Sequence, residues 1–329
     1  MRILITGGAG YIGSHVVKLL LEDTDYQVTV IDNLVTGFKS TIEELKKIRD
    51  FEFIEADLSN WSEIEGIFKA RKFDAIIHFA ASLIVPESVE NPIKYYLNNT
   101  ANTTNLVKLA NRYGVNKFIF SSTAAVYGEG KKIVTEDDLT NPYNPYGRSK
   151  LFSEWVIRDM AVVNSNFKYV ILRYFNVAGA SPDLKIGPKT KGATSLIKVV
   201  AETAVGKRKE VMVFGDDYPT KDGTGVRDYI HVMDLAEAHI KALEYLENNK
   251  SDVFNVGYGK GTSVKEIIDI MKKISKNDFK VKITDRRKGD VDMLLAKNDK
   301  IKNKMNWQPK YDDLKFICKS AYEWERKTK

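Results

Sequence analysis

The sequence has few cysteines and histidines, the residues that form disulfides and most often bind zinc. Cys318 is the only cysteine among 329 residues, so no disulfide can form within the chain and a reducing, cytoplasmic location is expected. The four histidines, His15, His78, His231 and His239, show none of the spacings typical of metal ligands, and no metal site is predicted. No apolar run approaches the roughly 20 residues that span a bilayer, so no membrane partner is expected.

A strong excess of one charge is also missing. The chain has 51 Lys and Arg against 44 Asp and Glu, a formal net charge of +7. A basic chain can bind nucleic acid, a membrane surface or an anionic small ligand. Here the lysines are scattered and become denser toward the C-terminal third, without an arginine-rich arm or a stripe of basic and aromatic residues. A solvated lysine surface is the simplest interpretation, an anionic ligand is the second, and no nucleic acid partner is expected.

Short apolar runs alternate with amphipathic stretches over the first half of the chain. This alternation predicts an α/β fold of the Rossmann type, a doubly wound parallel sheet with helices on both faces. The predicted strands cover residues 2–6, 27–32, 51–55, 73–80, 117–122 and 168–175, and the predicted helices cover residues 11–22, 41–47, 62–70, 93–113 and 145–161.

The pattern changes after residue 175, where glycine and proline interrupt the chain. A helix is predicted over residues 196–205, a strand and helix over 229–246, and a polar, lysine-rich section around residues 285–290. We therefore predict a cofactor-binding domain over residues 1–176 and a smaller mixed α/β substrate-binding domain over residues 177–329. The chain is expected to cross back to the first domain around residues 229–256.

A glycine-rich loop joins the first strand to the first helix. Gly7, Gly10 and Gly13 permit a tight turn, close approach of the backbone to a pyrophosphate, and close packing of helix on strand. The N–H groups at the start of the helix then face the phosphates. Asp32 ends the second strand, where its carboxylate can accept from ribose hydroxyls and would repel a 2′-phosphate. These features predict a site for NAD rather than NADP.

A tyrosine and a lysine four residues apart can share one face of a helix, where the ammonium lowers the pKa of the phenol. Such a pair can exchange a proton with an alcohol. The spacing alone selects nothing, because it occurs three times, at Tyr113 and Lys117, Tyr146 and Lys150, and Tyr311 and Lys315.

Sequence context selects the second of these pairs. Tyr146 follows Pro145 at a predicted helix start, shortly after the strand that runs into Thr123. Ligands of doubly wound sheets bind beyond the carboxyl ends of the strands, which is where Thr123 is expected. Thr123, Tyr146 and Lys150 should therefore meet beside the nicotinamide, whereas Gly114 stops the helix between the first pair.

Five segments together resemble the extended short-chain dehydrogenase/reductases. They are Thr6–His15, His78–Ala81, Ser121–Gly128, Asn144–Lys150 and Leu172–Asn176. The stretch Asp217–Val232 is similar to the members of that family that epimerise sugar nucleotides, and the resemblance continues through Asn306–Pro309. It implies an isomerase that uses NAD to oxidise C4 of a UDP-sugar, UDP-glucose or UDP-galactose, and to reduce the rotated 4-keto sugar on its other face.

The resemblance also implies residue roles. Tyr146 would take the proton of the sugar 4-hydroxyl, Lys150 would hold the nicotinamide ribose, and Thr123 would hydrogen-bond the 4-oxygen. The cofactor-binding positions implied are Gly7, Gly10, Tyr11, Ile12, Gly13, Asp32, Asn33, Leu34, Thr36, Gly37, Asp57, Leu58, Phe79, Ala80, Ala81, Leu83, Asn98, Thr123, Tyr146, Lys150 and Phe175. The substrate-binding positions are Thr123, Tyr146, Asn176, Leu196, Phe214, Arg227, Arg287, Asp290 and Leu294.

Departures from the family pattern reduce the number of reactions that the chain is expected to catalyse. Dehydratases of the group carry acids just after the catalytic serine or threonine, where this chain has Ala124 and Ala125. Ser195 stands where relatives often show Asn or His. Leu294 stands where some members place a tyrosine beside the sugar 2-position, so the sequence leaves room for an N-acetyl group, and UDP-GlcNAc and UDP-GalNAc stay open as substrates.

The same residues also bear on alternative functions. A non-catalytic NAD-sensing protein of this fold would show a broken catalytic set, whereas Thr123, Tyr146 and Lys150 are all present. A sugar reductase or dehydratase of the same fold remains an enzyme alternative. The family also implies a homodimer formed through the helices near residues 98–113 and 148–161.

Overall fold

The strands and helices form an α/β structure in a computed structural model that describes residues 1–189, 192–287 and 290–329. The strands, numbered in chain order, are β1 Arg2–Thr6, β2 Gln27–Asp32, β3 Glu52–Glu55, β4 Ala75–His78, β5 Lys117–Ser121, β6 Ile133–Val134, β7 Lys168–Tyr174, β8 Asn176–Ala178, β9 Glu210–Phe214, β10 Val226–His231, β11 Asp252–Val256, β12 Gly261–Ser263, β13 Lys280–Thr284 and β14 Met293–Ala296.

Helices connect most of these strands. They are α1 Tyr11–Asp23, α2 Lys39–Lys46, α3 Trp61–Ala70, α4 Val85–Glu90, α5 Pro92–Tyr95, α6 Asn102–Arg112, α7 Pro145–Val163, α8 Leu196–Ala204, α9 Val232–Asn248, α10 Val264–Ser275, α11 Asp299–Met305 and α12 Leu314–Lys327. Among the described residues, no helix has both the length and the apolar character that crossing a bilayer requires.

The largest sheet has seven strands in the order β11-β7-β5-β4-β1-β2-β3, and every neighbouring pair is parallel. Successive residues of a strand point to opposite faces, so Ile3 and Ile5 belong to one hydrophobic core and Leu4 belongs to another. Helices α1 and α9 cover the first face, and α3, α6 and α7 cover the second. The predicted Rossmann-type, doubly wound sheet is confirmed.

The second half of the chain contributes to three sheets. Strand β11 pairs with β7 at the edge of the large sheet. Strand β10 lies instead in a smaller sheet, parallel to β8 and β14 and antiparallel to β12, while β6 extends that sheet beside β14. Strands β9 and β13 form a separate parallel pair. The division into two domains at residue 176 stays a prediction.

The predicted helix over residues 93–113 is present, but it contains a π-helical turn that the sequence did not indicate. The structure has α5, then a π-helical turn over Tyr96–Ala101, then α6. The widened turn presents Asn99, whose amide accepts from the Ser82 N–H at 2.7 Å and donates to the Ser82 carbonyl at 3.0 Å and to Ser149 Oγ at 2.9 Å. These side-chain bonds favour the π turn locally, and such turns are frequent at functional sites.

Candidate active site

The glycine-rich loop lies at the carboxyl end of β1, where a side chain at Gly7 or Gly13 would clash with the backbone. Gly7 has a φ of +77°, and a Cβ there would stand 2.7 Å from the Ala80 backbone nitrogen. A Cβ on Gly13 would stand 2.3 Å from the Gly7 carbonyl oxygen. Gly10 precedes α1 and has no side chain that could accept from the first helical N–H groups. Those N–H groups therefore remain available to an anion such as a pyrophosphate.

Asp32 holds the loop between β2 and α2 in place. Its Oδ2 accepts from the Ala9 N–H at 2.9 Å, and its Oδ1 accepts from the Leu34 N–H at 2.9 Å. Burial raises the pKa of the Asp32 carboxyl, while these two hydrogen bonds act in the opposite direction. A Cβ on Gly37 would stand 2.7 Å from Asp32 Oδ1. Each carboxylate oxygen keeps a further lone pair, which a ribose hydroxyl can use.

The other residues assigned to the cofactor surround the same sheet edge. Asn33 donates to Asp57 Oδ2 at 2.7 Å beyond the ends of β2 and β3. Phe79 follows β4 and packs on the ring of His239 with centroids 4.7 Å apart. The remaining positions are placed as follows: Leu58 and Phe175 are buried, Ile12, Ala80, Ala81 and Asn98 are partly buried, and Thr36 and Leu83 are exposed.

A small cleft beside the start of α1 contains a residue that the sequence did not reveal. It is lined by Ala9, Gly10, Tyr11, Ser14, Thr36, Phe38, Thr41, Gly187 and Lys189. The Tyr11 hydroxyl donates to the Gly179 carbonyl at 2.6 Å, which draws the later segment across the helix start. The Lys189 ammonium donates to Ser40 Oγ at 2.9 Å and brings positive charge to the cleft. No local motif marks Lys189, because only the tertiary fold brings it there.

Thr123, Tyr146 and Lys150 are placed by β5 and α7. Thr123 follows β5, and its hydroxyl accepts from the Ala125 N–H at 3.1 Å at the start of a short 3₁₀ turn. Asn144 caps α7 by accepting from the Gly147 N–H at 2.8 Å. Tyr146 and Lys150 follow one turn apart on α7, and the Lys150 ammonium lies 4.5 Å from the centroid of the Phe120 ring. The predicted convergence of strand end and helix is therefore present.

Burial dominates the ionisation of this pair. The pKa of Tyr146 is raised by burial and by neighbouring Tyr174, while a hydrogen bond with Thr123 opposes the rise. Burial lowers the pKa of Lys150 to about 7, and the Glu154 carboxylate opposes that change. The expected lowering of the Tyr146 pKa is not found in the protein by itself, because the loss of hydration disfavours the phenolate.

A buried ion pair between Glu154 and Arg173 joins α7 to β7. Glu154 is fully buried one turn beyond Lys150, and it accepts from Arg173 Nε at 3.0 Å and from an Arg173 terminal nitrogen at 2.7 Å. Arg173 also donates to the Tyr127 hydroxyl at 3.1 Å, and that hydroxyl donates to Asn255 at 2.6 Å. The network links α7, β7, β11 and the residue that follows the 3₁₀ turn, Tyr127, and the sequence reasoning missed it.

The residues assigned to the substrate lie mainly on the smaller sheets. Arg227 is opposite Leu294 in the register of β10 and β14, and Asn176 is opposite Tyr229 in β8 and β10. Leu294 packs against the cluster that contains Ala124, Tyr127, Leu151 and Phe175. The position next to the catalytic strand end is therefore apolar.

Phe214 ends β9 near a charged pair. The Arg287 guanidinium lies 4.4 Å from the centroid of the Phe214 ring and donates from Nε to Asp290 at 2.9 Å. Leu196 opens α8 and packs against the large hydrophobic core, and the preceding residue, Ser195, is exposed. The described residues thus combine an aromatic face, two arginines and a carboxylate, which suit a nucleotide diphosphate.

The other two Tyr–Lys pairs lie elsewhere. Tyr113 ends α6 and bonds Glu65, while Lys117 opens β5 and pairs with Glu247. Tyr311 stacks on Phe316 near the C-terminus. Within residues 1–189, 192–287 and 290–329, no group of three potential metal ligands comes together.

Known proteins resemble this chain over nearly its whole length. Residues 3–257 match the model of the NAD dependent epimerase/dehydratase family. The UDP-glucose 4-epimerase of Lacticaseibacillus casei is 43% identical over 326 residues, which cover 98% of this chain and 96% of that protein. The resemblance inferred from the sequence motifs is thereby confirmed.

Solved structures agree in fold as well. The UDP-Glc/GlcNAc 4-epimerase from Campylobacter jejuni is 56% identical with a TM-score of 0.88, and the match covers 99% of each chain. The UDP-glucose 4-epimerase from Bifidobacterium longum in complex with NAD+ and UDP is 37% identical with a TM-score of 0.94, covering 99% of this chain and 98% of that one.

Proposed function

This chain belongs to the NAD dependent epimerase/dehydratase family, and on that premise we propose that it interconverts UDP-glucose and UDP-galactose by inverting C4 of the sugar. It is an isomerase whose cofactor is NAD. The single observation that carries the proposal is that Thr123 at the end of β5 meets Tyr146 and Lys150 of α7 on the same carboxyl edge of the parallel sheet as the glycine-rich loop after β1.

The placement of the side chains supports the following residue roles. Bound NAD would supply the reversible exchange of a hydride at C4 of the sugar. Tyr146 takes the proton of the 4-hydroxyl on its phenolic oxygen and returns it after the 4-keto sugar has rotated in the site. Thr123 hydrogen-bonds the 4-oxygen, and Lys150 binds the nicotinamide ribose. The Gly7–Gly13 loop, Asp32 and Asn33 hold the adenylate half.

Epimerisation fits the site better than elimination. Dehydration needs a carboxyl group that protonates a leaving hydroxyl and a base that removes a proton. The 3₁₀ turn directly after Thr123 instead carries the methyl groups of Ala124 and Ala125. A hydride that leaves and returns within one turnover needs no such acid, and it distinguishes this function from that of a reductase that consumes NADH.

The apolar surroundings of Leu294 favour a second pair of substrates. Leu294 is partly buried beside Ala124 and Phe175, and it has no hydroxyl that would occupy the space at the sugar 2-position. We therefore extend the proposal to UDP-GlcNAc and UDP-GalNAc. The 56% identical Campylobacter jejuni protein is a UDP-Glc/GlcNAc 4-epimerase, which supports this extension.

A homodimer is proposed from exposed apolar side chains. Val89, Ile93 and Leu97 recur every four residues along the segment from α4 to the π turn and are each more than 60% exposed. Trp155 on neighbouring α7 is half exposed and packs on Phe152. Adjacent apolar side chains of this kind favour a subunit interface.

A cytoplasmic location is also proposed, because the single cysteine is buried and forms no disulfide within the chain.

Product analysis tests the reaction directly. Purified protein is incubated with UDP-glucose, and separately with UDP-GlcNAc, without added cofactor. We expect a mixture of each substrate with its C4 epimer, separated by ion-exchange chromatography. A 4-keto-6-deoxy product would instead indicate a dehydratase, and conversion that requires stoichiometric NADH would indicate a reductase. Either result would overturn the proposed function.

A further inference from the structure

The side chain of Tyr218 carries a buried hydroxyl that the proposed reaction has not used. Tyr218 is 6% exposed, and its phenolic oxygen has no hydrogen-bond partner among the residues that the structure describes. A buried hydroxyl without a partner is unfavourable, and such groups are rare unless a ligand or water completes them. The position of this hydroxyl therefore points to a binding partner.

The loop around Tyr218 fixes the direction of the ring. The Arg286 guanidinium stacks 4.1 Å from the ring centroid, and Arg286 Nε is held by Asp217 Oδ1 at 2.6 Å. On the ring edge, Gly215 has a φ of +83°, and a Cβ there would stand 2.8 Å from Tyr218 Cε2. The Tyr218 N–H donates to the Gly223 carbonyl at 2.9 Å, which closes the loop. The hydroxyl is therefore held in one place.

Three of the four charged groups that act on Tyr218 are ones assigned to the sugar nucleotide. The charges of Asp290, Arg286, Arg227 and Arg287 all act on the pKa of Tyr218, which burial raises, so the phenol stays protonated at neutral pH. Asp290, Arg227 and Arg287 also act on the pKa of Tyr143, which precedes α7. Tyr218 and Tyr143 thus both lie near the same three charged groups, and Phe214 at the end of β9 contacts one of them, Arg287.

We propose that the Tyr218 hydroxyl donates a hydrogen bond to the nucleotide half of the UDP-sugar. The assignment rests on the proposed function, in which the nucleotide binds between Phe214 and the two arginines. The donor is neutral, fixed by the loop, and lies near charged groups that suit a diphosphate. Tyr218 then contributes to binding the nucleotide and has no part in proton transfer at C4.

The variant Tyr218→Phe tests the contact because it removes only the hydroxyl. UDP affinity is measured by isothermal titration calorimetry on the full chain. A hydrogen bond of ordinary strength predicts about 3- to 10-fold weaker UDP binding. The KM for UDP-glucose should rise by a similar factor, while kcat stays within about twofold, because the contact is made equally in the ground and transition states.

The melting temperature of the ligand-free variant supplies a second measurement. Loss of a hydroxyl without an internal partner should leave this temperature unchanged or slightly raised. A clear decrease would show that the hydroxyl has a structural partner within the protein and would overturn the proposal. Tyr113→Phe is the matched control, since it removes a tyrosine hydroxyl that bonds Glu65 far from the loop and should leave UDP affinity unchanged.

Failure of this contact is distinguishable from failure of the proposed function. If the wild-type protein binds UDP and Tyr218→Phe binds it equally well, the contact alone is overturned. If the wild-type protein shows no UDP binding and no epimerisation, the proposed function is overturned and the contact with it.

Discussion

The hydroxyl of Ser122 donates a 2.6 Å hydrogen bond to Oε1 of Glu154, and this bond ties the end of β5 to α7. Thr123 follows Ser122 directly, and Lys150 precedes Glu154 by one helical turn. The same carboxylate binds two nitrogens of buried Arg173. One buried charge therefore holds both elements that carry the catalytic side chains in register.

Replacing Glu154 by Gln should destabilise the protein strongly. The variant leaves the Arg173 charge buried without its counter-charge, and breaking such a pair costs about 3–5 kcal/mol. The free energy of unfolding is measured by urea denaturation. Glu52→Gln is the control, because it breaks the largely exposed pair with Arg71 and should cost only about 0–1 kcal/mol. Equal effects of the two variants would contradict a supporting role for the buried pair.

Replacing Tyr146 by Phe should reduce kcat by about 10²- to 10⁴-fold, the range typical of a lost proton-transfer group. The NAD content of the purified variant should not change, since the ring and its packing are kept. Turnover of UDP-glucose and absorbance of the bound cofactor are the two measurements. Tyr113→Phe should retain full activity, and a fully active Tyr146→Phe would refute the assigned role.

Replacing Leu294 by Tyr should narrow the substrate range. The larger side chain would fill the apolar space beside Ala124 and Phe175, so turnover of UDP-GlcNAc should fall by at least about tenfold relative to UDP-glucose. The ratio of kcat/KM for the two substrates is the measurement. Leu139→Tyr, at a position that is 91% exposed, is the control. An unchanged ratio in Leu294→Tyr would show that Leu294 does not determine substrate choice.

The four histidines should make the protein sensitive to mild acid. Burial lowers the pKa of His15 and His239 to about 4 and the pKa of His78 and His231 to about 3. Each is neutral in both states above the unfolded value of 6.5. Below it only the unfolded chain takes up the proton, so stability falls as the pH drops from about 6.5 toward 4.

The variant His78→Gln isolates one of these contributions. His78 contacts Thr6 and Thr103 through its two ring nitrogens, at 2.6 and 2.8 Å. Removing it should reduce the slope of unfolding free energy against pH, between pH 5 and 6.5, by up to about 1.4 kcal/mol per pH unit. Urea denaturation at several pH values gives the slope, and identical slopes for variant and wild type would contradict the assignment.

Replacing Leu97 by Glu should dissociate the proposed dimer, because a charge would be buried at an apolar contact. Analytical ultracentrifugation should show a dimer for the wild type and a monomer for the variant. Ile283→Glu, on β13, changes an exposed apolar residue outside the α4-to-α7 surface and should remain dimeric. A wild-type monomer, or a dimeric Leu97→Glu, would exclude this interface.

The large sheet could be predicted from sequence because its signals are local. Each of the six strands predicted before residue 176 is a short segment rich in apolar residues, and each is followed by a helix or turn whose pattern is visible within a few residues. The glycine loop and Asp32 have fixed offsets from the first strand. Thr123 and Tyr146 could likewise be placed, because both lie at ends of predicted elements.

The smaller sheets could not be predicted, since their strands depend on distant partners. Strand β6 has two residues and β8 and β12 have three, which is too short for any period. The π turn depends on Asn99 bonding Ser82 and Ser149, and the Glu154–Arg173 pair depends on the packing of α7 on β7. Lys189 and Tyr218 were missed for the same reason, because their neighbours are remote in sequence.

The position of β11 also has a consequence for synthesis of the chain. When residues 1–176 have left the ribosome, β7 lacks the neighbour that pairs with it in the finished sheet, because Asp252–Val256 emerges much later. An unpaired parallel edge is open to pairing with other nascent chains. The outer edge of β7 therefore stays exposed until residue 256 appears, and a fragment that ends at residue 176 would keep that edge exposed permanently.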